Sequence, residues 1–272
     1  MKAAMQALGE QFHRKSVWAI ASLEHGIGRL MLVWVVVAAA LAALRIVFAV
    51  TPIDGAAALI QTVLPYVFVV GAPVAACLIG DALFPRGALY EQPQIRLARY
   101  GKWKAVDCLS AREHKLFGPT GMMASLVIGM MLNVPVRSLE FLAAVPAMNG
   151  HAPLWGQMLM AAMTMDVVVM NFLYMLAFMM ALRSVPWFPR FLLLVWGVDV
   201  TAQIGIAHFV GNAPNLPAPV GEALGDLLSG NLKKVAISAA IWLPYLLLSE
   251  RVNLTYRGRV VADPRRADMA AA

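Results

Sequence analysis

The sequence predicts an all-α fold: a polytopic integral membrane bundle of about six transmembrane helices. Three observations carry this. The 272 residues are 61% apolar and only 14% charged, where a soluble domain runs near half apolar and about a quarter charged. Mean hydropathy is +0.71. The charges gather between long uncharged runs, as helices crossing a bilayer require and the alternating strands of a β-barrel do not.

The first span is residues 29–50, "RLMLVWVVVAAALAALRIVFAV", close to the ~20 residues that cross ~30 Å of hydrocarbon. Ahead of it, residues 1–28 are weakly amphipathic, with Met5, Leu8 and Phe12 on one face and Arg14 and Lys15 beyond. An interfacial helix lying on the membrane is expected there; the alternative is a frayed tail. The segment lacks the compact apolar region and small-residue site of a cleavable signal peptide.

The second span, 56–83, carries Pro65 and Pro73 and completes a two-span unit, 29–83. Residues 84–118 form a basic connection in which Arg and Lys mix with Tyr100 and Trp103. Contact with anionic headgroups at the cytoplasmic face is expected, with Trp103 as an interface anchor; docking of a protein partner is the alternative. The third span, 119–142, carries Pro135, which should kink or end the helix. The fourth, 158–182, is rich in Met, the fifth is 191–210 and the sixth 233–249. These four make a second unit, 119–250, followed by a basic tail, 251–272. Cys77 and Cys108 form no metal or redox spacing and are poorly placed for a disulfide.

Orientation follows from Lys and Arg. With six spans, the N-terminal segment with Arg29 at the mouth of the first span, residues 84–118, residues 183–190 and the tail share one side, with four, seven, two and five of them; the opposite side has Arg45, Arg137, Lys233 and Lys234. That bias places both termini in the cytoplasm of a bacterial inner membrane. It also explains the net charge of +7 as a topology signal, leaving no case for a nucleic-acid partner.

Standard catalytic patterns are absent: the chain has no P-loop, GxGxxG, HExxH or GxSxG, and no two of its five His lie three or four residues apart. No metal and no cofactor is implied. Thioethers can bind Cu(I), but Met equally packs apolar cores, and no Met-His cluster is evident.

The intramembrane polar residues are the candidates for function, since a charge at the bilayer centre costs at least ~2.5–3.5 kcal/mol on insertion scales. Asp166, Asn171 and Tyr174 in the fourth span, and Asp199, Gln203 and His208 in the fifth, lie on two helices joined by the short "SVPWFPR", which should form an antiparallel hairpin. Depth then pairs Asp166 with His208, Asn171 with Gln203, and Tyr174 with Asp199. Helical rotation brings Asn171, Tyr174, Asp199 and Gln203 together as a polar seam and turns Asp166 and His208 away from it. A seam of this kind can be glue between helices or a working site. A deep Asp without a cation favours its neutral form.

A second group is expected in the outer half. Arg137 and Glu140, three apart on one helical face, should pair, and with Asp166 and His208 could line a cavity. Arg45 is expected to snorkel to headgroups.

The last span ends in "IWLPYLLLSERVNLTY", residues 241–256. With the basic "RSVPWFPRF", this stretch resembles a bacterial family of small four-span membrane proteins known only as a domain of unknown function. The resemblance covers residues 116–260 and implies a fold and topology, and no activity. Physically, Trp242, Tyr245 and Arg251 read as membrane-interface anchors, with docking to a partner as the alternative.

The function expected first is a non-enzymatic accessory subunit or assembly factor of a membrane complex, with a membrane-protein partner or a second copy of the chain. The alternatives are a small transporter or channel using Asp199, Asp166, His208, Arg137 and Glu140, and a lipid-processing enzyme. A water-accessible cavity reaching Asp199 would separate a working site from dry glue.

Overall fold

The computed structural model describes residues 2–93 and 102–262, with side chains from residue 9 onward. Its helices are α1 (Lys2–Val47), α2 (Ala56–Leu83), α3 (Cys108–Glu113), α4 (Met122–Ala144), α5 (Leu154–Leu182), α6 (Phe188–Gly211), α7 (Ala218–Leu248) and α8 (Glu250–Arg257); two short strands are β1 (Trp103–Ala105) and β2 (Arg259–Val261). Helices α1, α2 and α4 to α7 are long and apolar enough to cross a membrane. The chain is therefore an all-α, multi-pass bundle, the arrangement in which apolar segments satisfy their own backbone hydrogen bonds without water.

Two helices outrun the expected spans. Helix α1 has 46 residues, or about 69 Å at ~1.5 Å per residue, more than twice the ~30 Å of hydrocarbon. The N-terminal segment is thus no separate in-plane helix: it continues the first span unbroken, because residues 9–28 hold no Pro and an established helix extends at little cost. Helix α7 starts at Ala218, well before residue 233. Pro217 caps it and a second Pro sits in its first turn, where the missing N–H costs nothing. Its first half is interrupted by Gly221, Glu222, Gly225 and Asp226, which hid it from a reading by apolar runs. Lys233 and Lys234 consequently sit midway along α7 rather than at its start. Helix α4 runs through Pro135 to Ala144.

Helix α5 is the hub, packing on α2, α4 and α6. Its methionines Met160, Met163, Met170, Met175, Met179 and Met180 are buried and fill the core as adaptable apolar groups. Small residues bring α2 close: a Cβ on Gly80 would lie 2.7 Å from Met179 Cβ.

The end of the bundle near Ser16, the α5–α6 turn and α8 is tied by polar contacts. The Gly121 N–H donates to Ser16 Oγ at 2.7 Å. Arg183 joins three helices, with Nη1 2.9 Å from Glu24 and Nη2 2.5 Å from Asp81. Strand β1 pairs antiparallel with β2, Trp103 opposite Val261, so the connection after α2 is stitched to the tail. The Arg259 guanidinium stacks 5.2 Å over the Trp103 ring. Trp103, expected at the membrane interface, thus also makes a contact within the fold.

The signature segment forms the same clasp. Arg251 donates to the Leu116 carbonyl at 3.1 Å and to Thr120 Oγ1 at 2.6 Å, instead of reaching for headgroups. The Tyr256 hydroxyl donates to the Ala181 carbonyl at 2.9 Å, and its ring lies 5.0 Å from Phe188. Asn253 Oδ1 accepts from both Arg257 and Arg259. Burial, with Arg259 and Arg190 nearby, pulls the Arg257 guanidinium down to about 10, still charged at neutral pH.

Candidate functional site

Near the middle of the bundle, α4, α5, α6 and α7 bring their polar side chains to one junction. Arg137 of α4 sits at its centre. Its Nη1 is 3.3 and 3.2 Å from the two Asp166 oxygens, and its Nη2 is 2.6 Å from Asp199 Oδ1. The three side chains are 8%, 2% and 1% exposed, so these ion pairs are screened by protein rather than water. The Tyr174 hydroxyl donates to Asp199 Oδ2 at 2.9 Å. Gln203 Nε2 reaches both carboxylates, 3.1 Å from Asp166 Oδ1 and 3.3 Å from Asp199 Oδ1.

The network continues outward. Asn231 of α7 donates to Gln203 Oε1 at 3.2 Å, and Lys234 Nζ lies 3.4 Å from Asn231 Oδ1. Lys234, more than half exposed, also pairs with Glu140 of α4. A connected polar chain therefore runs from two buried carboxylates to an ion pair at the surface.

A cavity of about 160 Å³ opens beside this chain, between α4, α6 and α7. Arg137, Tyr174, Asp199, Asn231, Lys234 and Glu140 are among its walls. At about 30 Å³ per water in the liquid, it holds the equivalent of about five waters. Trp242 also lines it, and Tyr245 packs edge-on against that indole at 5.9 Å. Trp242 is thus turned toward the cavity, not solely outward as an anchor.

Several expectations are corrected here. The Tyr174–Asp199 contact across the α5–α6 hairpin is present as expected, but Asp166, expected off the seam, lies within it. The seam is a junction with α4, whose Arg137 reaches across from a third direction, while the long Gln203 side chain reaches along its own helix. Asn171 donates to Ser138 Oγ of α4 at 2.8 Å, not to Gln203. Arg137 leaves its expected partner Glu140 for the two carboxylates, and Glu140 takes Lys234 instead. His208 is exposed and lies 3.3 Å from Asn212, so it drops out of the site. Arg45 donates to the Val145 carbonyl at 3.2 Å, a contact within the bundle. Deep Asp199 does have a cation.

Sequence reasoning missed Asn231 and Lys234, because it placed both outside the last span's interior. The spacing of Asn231 and Lys234, three apart on one helical face, is the signal that would have found them once α7 was extended. Among the described residues no group of three His, Cys, Asp or Glu is placed to hold a metal ion. Comparison of the chain with known protein families, with curated proteins and with solved structures found no match.

Proposed function

We propose that this chain is a small transporter of the bacterial inner membrane, with both termini in the cytoplasm, that moves a small polar solute through the cavity beside Arg137, Asp166 and Asp199. The cavity reaching Asp199 is the observation that carries this reading. Magnitudes support it. Interhelical polar bonds in membranes average only ~0.6 kcal/mol and reach ~1.7 kcal/mol. Each charge brought to mid-membrane costs at least ~2.5–3.5 kcal/mol. A buried ion triad is also readily replaced by apolar side chains without loss of stability. Glue alone is a poor reason to keep three charges there; a site that handles charge is a sufficient one. The cavity presents both signs, Arg137 and Lys234 against Asp199 and Glu140, together with amides and an indole face, which suits a compact polar or zwitterionic solute. The bias of Lys and Arg toward one side supports the orientation, with anionic headgroups at that face.

The accessory-subunit reading rests on the absence of catalytic motifs, on small soluble regions and on a polar seam whose groups bond one another; the cavity beside that seam is what favours transport. One experiment separates the two. The purified chain is reconstituted in liposomes, and flux of urea, glycine and acetate is followed by light scattering. Flux above that of protein-free liposomes, lost in Asp199→Asn while folded protein stays abundant, supports the transporter. Flux no greater than that of protein-free liposomes across the panel, with a stoichiometric membrane partner recovered in a mild-detergent pulldown, overturns it in favour of an accessory subunit.

A further inference from the structure

We infer that the Asp166–Asp199 pair is a proton-binding site, and that a proton is the ion coupled to movement of the solute. The inference rests on the transporter reading above and names the coupling ion of that same site.

Charge counting starts the argument. Counted as ionised, one guanidinium faces two carboxylates, leaving one negative charge uncompensated in a low-dielectric setting where that is costly. The groups facing the pair from each helix are few. Helix α4 brings Arg137, α5 brings the neutral phenol of Tyr174, and α6 brings the Gln203 amide. Helix α7 brings the Asn231 amide only as far as Gln203, and its Lys234 is committed to Glu140. Neutrality needs one more positive charge.

The oxygens decide which cation fits. Asp166 Oδ1 accepts from Arg137 and Gln203; Asp199 Oδ1 accepts from the same two; Asp199 Oδ2 accepts from Tyr174. Asp166 Oδ2 has the 3.2 Å contact to Arg137. A metal cation needs several oxygens converging at ~2.0–2.6 Å, and these already face N–H and O–H donors. A proton needs one lone pair, which Asp166 Oδ2 can offer.

Access and coupling follow from position. Of the two carboxylates, Asp199 belongs to the cavity wall and Asp166 does not, so the proton enters from the Asp199 side once the 1% exposed side chain is uncovered. Gln203 touches both carboxylates from one nitrogen, so a proton arriving at either changes the charge of the pair. In the step itself, a proton from water forms an O–H bond with a carboxylate oxygen and gives a neutral acid. Arg137 is then held electrostatically by the remaining carboxylate alone. When the O–H bond breaks, the proton returns to water on the other side and the carboxylate is restored. No other bond is made or broken. Because Arg137 belongs to α4, loosening one of its two anchors frees α4 to shift against α5 and α6, which is the kind of two-state rearrangement a carrier needs.

The test uses the full chain in liposomes and two readouts. Infrared difference spectra between acid and alkaline buffer report a protonated carboxyl directly. Solute flux with and without an imposed acid jump reports coupling. The wild type should lose a carboxylic C=O band on going alkaline, Asp166→Asn should abolish that band, and an acid jump should accelerate flux in the wild type but not in the variant. If Asp166→Asn fails to fold, Asp199→Asn provides the infrared comparison alone, because removing the surplus negative charge should abolish the band while its flux is already expected to be lost. No band sensitive to either substitution, or wild-type flux indifferent to the acid jump, overturns the proton while leaving the transporter intact. A band assigned to the pair with no flux of any solute overturns the transporter and leaves a proton-binding site without a carrier.

Discussion

At the scale of single residues, Arg137 shows how burial redirects a side chain. On the sequence it has a partner three residues away, Glu140, on its own helical face. In the bundle it turns to Asp166 and Asp199, because attraction grows as water is excluded and two carboxylates lie inward. Removing the cation alone leaves both carboxylates buried and unpaired. Arg137→Gln should therefore cost about 3–5 kcal/mol, seen as a large drop in the denaturation midpoint in detergent. Asp199→Asn keeps an amide that hydrogen-bonds in place and removes the surplus negative charge, so its loss should be much smaller. Equal losses for the two variants would show that the triad is not held by charge.

Among elements, the junction of α7 and α8 is held by one buried amide. Asn253 is fully buried; its Nδ2 donates to the Leu247 and Ser249 carbonyls that end α7, while its Oδ1 receives two guanidinium groups. Asn253→Ala removes the acceptor that Arg257 and Arg259 share and the donor to the two carbonyls, at about 1–3 kcal/mol. The effect should be local: trypsin should cut at Arg257 and Arg259 much faster, with little change in overall unfolding. Unchanged proteolysis would mean that the strand pairing of Trp103–Ala105 with Arg259–Val261 holds the tail by itself. The signature was legible as an anchor, but not as an anchor to protein. Its donors find Leu116, Thr120 and Ala181, residues far away in the chain.

For the whole molecule, the Lys234–Glu140 pair bridges α4 and α7 beside the cavity. If it acts as a latch, Lys234→Gln should open the cavity. With Cys77 and Cys108 replaced, a cysteine introduced at Ser238, on the cavity wall, should react faster with a charged thiol reagent in the Lys234→Gln background. An unchanged rate would place access elsewhere. The bundle was legible because each span must solve its hydrogen bonding alone, so length and hydropathy suffice. The site was legible only in part: Asp166, Tyr174, Asp199 and Gln203 stood out by their cost in an apolar run, while Asn231 and Lys234 were hidden by the low hydropathy of the first half of α7.

A helical, multi-pass chain, the six apolar segments and the hairpin that sets Tyr174 against Asp199 could all be read from the order of the residues. These depend on local composition and on short connections, which act within one or two helices. That Arg137 serves both carboxylates, that Glu140 belongs to Lys234, that His208 faces away and that a cavity stands beside Asp199 emerged with the packed bundle. Those outcomes depend on the rotation and crossing of α4 and α7 against the hairpin, and rotation about a helix axis is set by packing against neighbours.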